Sequence, residues 1–312
     1  MNKYIVYGAG RQGTGLLKYL KSKNKGDLVE VFCDNNKSVE ELSGKRVIKY
    51  QDAIKLNLPF IIAIANDDER NEICKTIEQD GGKAYPMDAL CNELDMGRVE
   101  FNRDYCDSFH EEDMDAYFVS AENALGTFWG DDTEFLRLFK KLDLTNVIEI
   151  ACGRGSQVQN YISDSGEVTL VDILDKNIEI SRERYKDYSN IKYYCNNGFN
   201  LCDLQSDKYS AVFSYDSVVH FEMMDIYEYL KDIYRVLKDG GKVLIHHSNN
   251  YSDYKASFGG SSNGRSFMSD KIFAYLAYRA GFIVLEQVKI DWGKEKELDC
   301  ISLLQKKNIL TN

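Results

Sequence analysis

The chain has 312 residues, 44% hydrophobic and 12% aromatic, and a formal net charge of −11. That length accommodates two domains at about 100–200 residues each, with ample apolar material for packed cores. The acidic balance disfavours nonspecific binding to nucleic acid or to an anionic membrane, because neutralising phosphates requires clustered Lys and Arg. Eight cysteines at 33, 74, 91, 106, 152, 195, 202 and 300 form no CxxC pairs. Several, including Cys33, Cys195 and Cys300, fall in apparent strands, so buried thiols are expected. The start runs directly into a strand and no apolar run reaches ~18 residues, so neither signal peptide nor membrane span is expected, and a reducing cytoplasm fits.

In chain order, Lys3–Tyr7 (KYIVY) reads as a buried strand feeding Gly8-Ala9-Gly10-Arg11-Gln12-Gly13 and a helix over Thr14–Lys21. The strand Leu28–Cys33 ends on Asp34, twenty-one residues after Gly13. Strand, glycine turn, helix, strand and acid form a nucleotide-binding fingerprint, in which Gly8, Gly10 and Gly13 admit a phosphate and Asp34 meets a ribose. Phe60–Ala65 is a third strand, a helix runs to Gln79, and Lys83–Tyr85 is a short fourth strand. The unit then ends near residue 90. A full dinucleotide site needs two such halves, so a mononucleotide is easier to accommodate than NAD.

Residues 91–140 read as a linker with cofactor-covering helices, acidic and aromatic around His110. Tyr105, Tyr117 and Trp129 are candidates to cover a cofactor, although core packing explains each as well. The helix Asp132–Leu142 carries Phe135, Leu138, Phe139 and Leu142 on one face. From 141 to 312 a second nucleotide-binding unit is expected. Val147–Ile150 leads into a turn with Gly153 and Gly155, then a helix over Ser156–Ile162. The strand Val168–Val171 follows and ends on Asp172, nineteen residues after Gly153. Further strands are Ile191–Tyr194, Tyr209–Tyr215 and Val243–Ile245, with helices over Asp225–Leu237 and Asp270–Gly281.

The run Glu149-Ile150-Ala151-Cys152-Gly153-Arg154-Gly155 resembles the first motif of class I S-adenosylmethionine-dependent methyltransferases, with Ala151 where the family has its first glycine. Leu237-Lys238-Asp239-Gly240-Gly241 before a strand, and Ala280-Gly281-Phe282 after a helix, are similar to later signals of that family. The resemblance implies an α/β fold: a small N-terminal Rossmann-like domain (1–90), then a seven-stranded mixed sheet with helices on both faces. It implies S-adenosyl-L-methionine as cofactor, with Glu149, Ala151, Gly153 and Gly155 at its methionine part. Asp172 would take the ribose, and Ile173, Asn197 and Gly198 would lie at the adenine. The first unit resembles the nucleotide-sugar-binding domain of bacterial sugar acyltransferases through Gly8–Gly13, Val31–Asn36 and Gly44–Ile48. Together these resemblances imply O-methylation of a sugar or nucleotide-sugar in surface-glycan synthesis. The alternatives are an NAD-linked sugar-nucleotide oxidoreductase and a nonenzymatic nucleotide-sugar-binding protein.

A hydroxyl acceptor needs a base, and histidine suits that task at neutral pH. His220 follows one strand and His246-His247 read as lying just past another, where ligands of open α/β sheets bind. His110 reads as solvated in the linker. Structural roles remain open for all four. A metal held by these histidines with Asp216 or Glu222 lacks the usual spacing, so none is expected. Arg265, beyond the Gly- and Ser-rich run Lys255–Gly264, is expected at the acceptor mouth, with a surface position the competing possibility. A small-molecule substrate, no nucleic acid, no membrane and possible homo-oligomerisation complete the expectation.

Overall fold

A computed structural model describes residues 2–111 and 115–307. The chain divides into two compact units: Met1–His110 with Lys255–Arg265, and Glu111–Tyr254 with Ser266–Asn312.

The first unit is built on strands Tyr4–Tyr7 (β1), Val29–Cys33 (β2), Glu41–Leu42 (β3), Lys45–Ile48 (β4), Phe60–Ile62 (β5) and Ala84–Pro86 (β6). Their order is β3-β4-β2-β1-β5-β6, parallel except for the short β3–β4 hairpin. Parallel strands covered on both faces must be apolar throughout, which explains the continuous runs. Val6, Phe32 and Ile61 enter one core, with helices Arg11–Ser22 (α1) and, after Tyr50–Ala53 (α2) and Asp67–Gln79 (α3), Arg98–Glu111 (α4). Ile5, Val31 and Phe60 enter the other, with Ile77 of α3.

This unit extends past the boundary expected near residue 90. Phe101 and Tyr105 of α4 are buried in the first core, and Phe109 packs against it. Spacing of four residues puts these rings on one helix face. The segment Lys255–Arg265 also belongs here, for Phe258 is buried against Tyr105 and Phe109.

The second unit opens with helices Asp115–Asn123 (α5), Leu125–Phe128 (α6) and Glu134–Phe139 (α7). Its strands are Asn146–Ile150 (β7), Glu167–Asp172 (β8), Ile191–Cys195 (β9), Tyr209–Ser214 (β10), Leu237–Ser248 (β11), Phe282–Trp292 (β12) and Glu295–Lys306 (β13). The order is β12-β13-β11-β10-β7-β8-β9, with β13 antiparallel to both neighbours and the other pairs parallel. This is the seven-stranded mixed sheet expected. Alternate residues supply two cores. Ile148, Val212 and Val243 face helices Met223–Val236 (α9) and Asp270–Ala280 (α10), whereas Val147, Phe213 and Leu244 face α7. Helix Asp175–Arg184 (α8) connects β8 to β9.

Three local expectations change. The stretch 156–162 is not an α-helix but two 3-10 turns, Val158–Asn160 and Ile162–Asp164. Side chains of Gln159, Asn160 and Ser165 donate to the carbonyls of Ser156, Gln157 and Tyr161, competing for acceptors that an α-helix would use. The strand expected at Val243–Ile245 runs on to Ser248, so His246 and His247 lie within it, paired with Ile301 and Cys300. Cys195 is exposed rather than buried, since β9 is a sheet edge. Among the described residues no helix is long and apolar enough to cross a membrane.

Phe213 is fully buried in β10, with the rings of Phe139 and Tyr161 edge-on at 5.0 and 5.2 Å. Phe213→Ala is expected to cost the second unit about 3–5 kcal/mol through lost contact and the cavity left behind. Urea unfolding checks this, and a loss below about 1 kcal/mol would mean the core collapses onto the gap.

Candidate cofactor and acceptor site

The carboxyl end of β7 turns through Ala151, Cys152, Gly153, Arg154 and Gly155. Ala151, Gly153 and Gly155 all take left-handed φ, at +55°, +54° and +71°. Glycine adopts that region without cost, whereas alanine is strained there. The turn therefore keeps its shape although its first glycine is replaced.

Asp172, at the end of β8, holds this turn. One carboxylate oxygen accepts from the Gly153 N–H at 2.9 Å, and the other accepts from the Leu174 N–H and the Asn177 amide, both at 3.0 Å. Burial raises the Asp172 pKa, while these hydrogen bonds favour the ionised form. Two more side chains grip the turn from α8 and its end. The Ser181 hydroxyl donates to Gly153 O at 3.2 Å and the Tyr185 hydroxyl to Gly155 O at 2.7 Å. Asn177, Ser181 and Tyr185 recur every four residues and so share one helix face. That polar i, i+4, i+8 pattern was available in the sequence and was missed.

Glu149 lies beneath the turn, 1% exposed. Tyr161 donates to its Oε2 at 2.5 Å, while Oε1 is buried without a hydrogen-bond partner. Burial pushes the Glu149 carboxyl up to about 8. A buried carboxyl oxygen without a partner at the base of a glycine turn suits a polar ligand group that can bond to it. Phe118 of α5 faces the turn, since a Cβ on Gly153 would stand 3.1 Å from its ring, and the Arg154 guanidinium lies 4.2 Å from the ring centroid. The covering aromatic here is thus Phe118. Tyr105 belongs to the core of the first unit, and Trp129 packs on Phe135 and Phe139 while donating to Gln157. The side chain of Tyr117 lies outside the described residues.

Ile173 is half-buried beside Asp172, and its carbonyl lies 3.3 Å from Cys195 Sγ. Asn197 Oδ1 accepts from the backbone of Phe199 and Asn200, and Gly198 has φ +84°. Both follow β9, adjacent to β8 in the sheet, and the Asn196 N–H donates to Asp172 O.

The histidines separate sharply. His246 is fully buried: Nδ1 accepts from the Asp216 N–H at 3.0 Å, which leaves Nε2 as the donor to Asp299 at 3.1 Å. His247 is also fully buried, with Nδ1 donating to Ser248 O and Nε2 accepting from Ser302, each at 2.8 Å. Its ring stacks on Phe273 at 3.9 Å, and burial lowers its pKa to about 4. Both rings are committed at both nitrogens, because β11 continues through them and β13 covers its edge. Neither is presented to an acceptor. His220 lies in the turn Val218–His220 after β10, half-buried. His110 is half-buried on α4 rather than solvated, its Nδ1 2.7 Å from Cys106 O. Arg265 is not on the surface: it is 3% exposed within the first unit and donates to Asn263 O. Lys255–Gly264 likewise packs in the first unit. Among the described residues no cluster of three or more His, Cys, Asp or Glu is arranged to hold a metal.

The first unit repeats the clasp. Asp34 accepts from the Ala9 N–H at 3.0 Å and from Asn36 and Lys37 N–H at 2.8 and 2.9 Å. Burial opposes ionisation of this carboxyl, but the three backbone donors and Lys37 hold its pKa below the ordinary value. Gly8 has φ +106°, and a Cβ on Gly13 would stand 1.9 Å from Gly8 O. A Cβ on Gly10 would meet nothing within 4 Å. Gly8 and Gly13 are thus required by the turn itself, whereas Gly10 borders open space.

Residues 148–245 match the family described as a methyltransferase domain. The chain is similar in fold to the methyltransferase solved in complex with the Haloferax volcanii Trm112 methyltransferase activator, at 15% identity over 63% of this chain and 98% of that one, TM-score 0.49. It is also similar to an S-adenosylmethionine-dependent methyltransferase of Methanosarcina mazei (14% identity, 55% and 97% covered, TM-score 0.46). Another of Mesorhizobium loti gives 13% identity, 56% and 99% covered and TM-score 0.46. No curated protein matches the chain. The second unit carries a class I methyltransferase domain. The protein is an enzyme of that type, and its methyl donor is S-adenosyl-L-methionine.

Asp172→Ala would strip the partners from the Gly153 and Leu174 N–H groups, and is expected to weaken S-adenosylhomocysteine binding by about 1–3 kcal/mol. Gly153→Val should weaken it further, since it forces a branched side chain into left-handed backbone against Phe118. Calorimetry on the folded variants checks both, and wild-type affinity would remove these residues from the site.

Glu149 also makes stability depend on pH. Its folded pKa of about 8 exceeds the ordinary 4.5, so between these values the folded state holds a proton that the unfolded state releases. Stability from this group therefore falls as pH rises towards 8. His247, lowered to about 4, acts oppositely, but only below its ordinary value of 6.5. Between pH 6.5 and 8 the unfolding midpoint should fall, and Glu149→Gln should flatten that slope. An unchanged slope in the variant would show that Glu149 is ionised throughout.

Proposed function

We propose that the second unit methylates a hydroxyl oxygen of a sugar or nucleotide-sugar in surface-glycan synthesis in the cytoplasm, while the first unit holds the nucleotide carrier. Glu149, Ala151, Gly153 and Gly155 would hold the methionine part of the donor, Asp172 its ribose, and Ile173, Asn197 and Gly198 its adenine. When bound, the donor supplies an electrophilic methyl carried on a sulfonium. The residues then align the acceptor and take its proton. His220 is assigned that base from its half-buried place in the turn just beyond the carboxyl end of β10, where ligands of open α/β sheets bind. Arg265 has no place in this assignment.

The observation that carries the two-ligand reading is the repeated clasp, aspartate to glycine-turn N–H at 3.0 Å in the first unit and 2.9 Å in the second. Gly8, Gly10, Gly13 and Asp34 accordingly form the nucleotide site. The open space at Gly10 and the start of α1 suit a phosphate, and a single half of a dinucleotide fold favours a UDP-type ligand over NAD.

Calorimetry of the full chain with S-adenosylhomocysteine, UDP and NAD tests this. Independent binding of the first two is expected, with Gly10→Val abolishing only the UDP isotherm. Tight NAD binding would favour an oxidoreductase, and no nucleotide binding would remove the sugar assignment. With a sugar acceptor in hand, His220→Ala should cut turnover by ~10²–10⁴ while leaving S-adenosylhomocysteine affinity nearly unchanged. Full activity would mean that alignment alone suffices.

A further inference from the structure

We infer that α9 sets the loop after β9 for the adenine of the methyl donor, with Asp232 and Arg235 as its positioning residues. The inference rests on the assignment of Asn197 and Gly198 to the adenine, and every contact it uses lies within the second unit.

β9 ends at Cys195 and β10 begins at Tyr209, and among the described residues no helix or strand lies between them. β9 is the sheet edge, and β10 stands beyond both β8 and β7. A crossover of this kind is ordinarily carried by a helix, whose own hydrogen bonds satisfy the backbone. Stretches this long without secondary structure are uncommon in compact domains and usually functional. The backbone groups of 196–208 must therefore find partners elsewhere.

The start of the loop is tied to the donor clasp, for the Asn196 N–H donates to Asp172 O at 3.0 Å. The Asn196 side chain accepts from the Gly198 N–H at 3.3 Å and donates to Asn200 O at 2.9 Å. Asn197 Oδ1 accepts from the Phe199 and Asn200 N–H groups at 3.2 and 3.1 Å. Two N–H groups directed at one atom identify it as the oxygen, so the Asn197 NH2 is turned the other way. Further along, α9 takes hold. The Leu201 N–H donates to Asp232 Oδ2 at 2.8 Å, and Leu201 O accepts from Arg235 Nη2 at 2.8 Å. Arg235 also donates to Leu204 O at 2.7 Å and to Asp232 Oδ1 at 3.0 Å. This ion pair grips both backbone groups of Leu201, whose side chain is fully buried in the core that contains Ile148 and Val212. Tyr229, three residues before Asp232 and so its neighbour on the helix, accepts from the Asn196 amide at 2.7 Å.

A clamp that only closed the chain between β9 and β10 could act anywhere along it. Here Tyr229 fixes the residue from which the asparagine turns start, and Asp232 with Arg235 fixes the residue at which they end. Asn197 and Gly198 lie between these anchors. Three helix side chains thereby define where the Asn197 amide stands relative to Asp172. Asp232 and Arg235 are 21% and 33% exposed, so replacing either leaves no fully buried charge behind. The Asn197 NH2 suits the acceptor nitrogens of adenine, whereas hypoxanthine carries a proton on N1. S-adenosylhomocysteine and S-inosylhomocysteine differ in that ring alone, so their affinity ratio reads the loop, and a general loss of stability leaves the ratio unmoved.

Calorimetry of the full chain with these two ligands tests the clamp. The wild type is expected to favour S-adenosylhomocysteine by about tenfold or more. Asp232→Ala and Arg235→Ala should each bring the ratio to within about threefold of unity, chiefly by weakening S-adenosylhomocysteine. Tyr229→Phe deletes one hydroxyl and keeps the ring; it should lower the ratio by a smaller factor, and it carries the test where an alanine variant does not fold. Phe213→Ala, which damages the opposite core, should keep the wild-type ratio. A wild-type ratio in the folded Asp232, Arg235 and Tyr229 variants, beside a collapsed ratio in Asn197→Ala, would overturn the clamp. Equal wild-type affinities, unaltered by Asn197→Ala, would instead fail the adenine assignment and the inference with it.

Discussion

The bond from the Gly153 N–H to the Asp172 carboxylate organises the methyltransferase unit. A glycine turn at the end of a strand leaves backbone N–H groups pointing away from regular structure, and they need a partner. Asp172 supplies one from the neighbouring strand, so the separation of β7 and β8 fixes the shape of the turn. Asn177, Ser181 and Tyr185 then brace the carboxylate and the two glycine carbonyls from a single helix face. With four side chains sharing the task, Ala151 can stand in left-handed backbone without the turn losing its course. The strain is local, and the neighbouring bonds over-determine the conformation.

The first unit reaches the same solution with Asp34 and Ala9 on a smaller sheet. The surroundings of the two aspartates differ. Asp34 is partly open and has its pKa lowered by backbone donors, whereas Asp172 is buried and has its pKa raised. Burial of charge is costly unless hydrogen bonds compensate for it, and the second site applies more side-chain support to a more deeply placed group. Glu149, buried beneath the same turn with one oxygen unpartnered, avoids that cost by keeping its proton up to about pH 8.

The histidines show how strongly sheet context controls chemistry. Adjacent histidines in a strand point to opposite faces, and His246 and His247 do so. Each face is nevertheless covered. Tyr215 stacks on the first ring and Phe273 on the second, with hydrogen bonds at both nitrogens of each. These residues join β11 to β10, β13 and α10. His220 lies outside the sheet, since β10 ends at Ser214, before the turn that carries it.

Much of this was legible in the sequence. Apolar runs of four to six residues that end in glycine turns or aspartates located the parallel strands of both units, because strands buried on two faces can hold little else. The spacing from Gly153 to Asp172 and from Gly13 to Asp34 located two aspartates that each accept from an N–H of a glycine turn, since the strand–turn–helix–strand path has a nearly fixed length. Local composition could not decide how far β11 runs, because its last residues pair with β13 more than fifty positions away. Nor could it show that polar side chains would break 156–162 into 3-10 turns, or that α4 would join the first core. The course of Lys255–Arg265 was hidden for the same reason. Glycines and serines permit a mobile loop, and only the burial of Phe258 among Tyr105, Phe109 and His110 turns that permission into one fixed path. The sequence determined which local elements could form and which turns could admit a ligand. The tertiary structure decided which histidines are buried in the sheet, which arginine is buried and where the units divide, because each depends on partners distant along the chain.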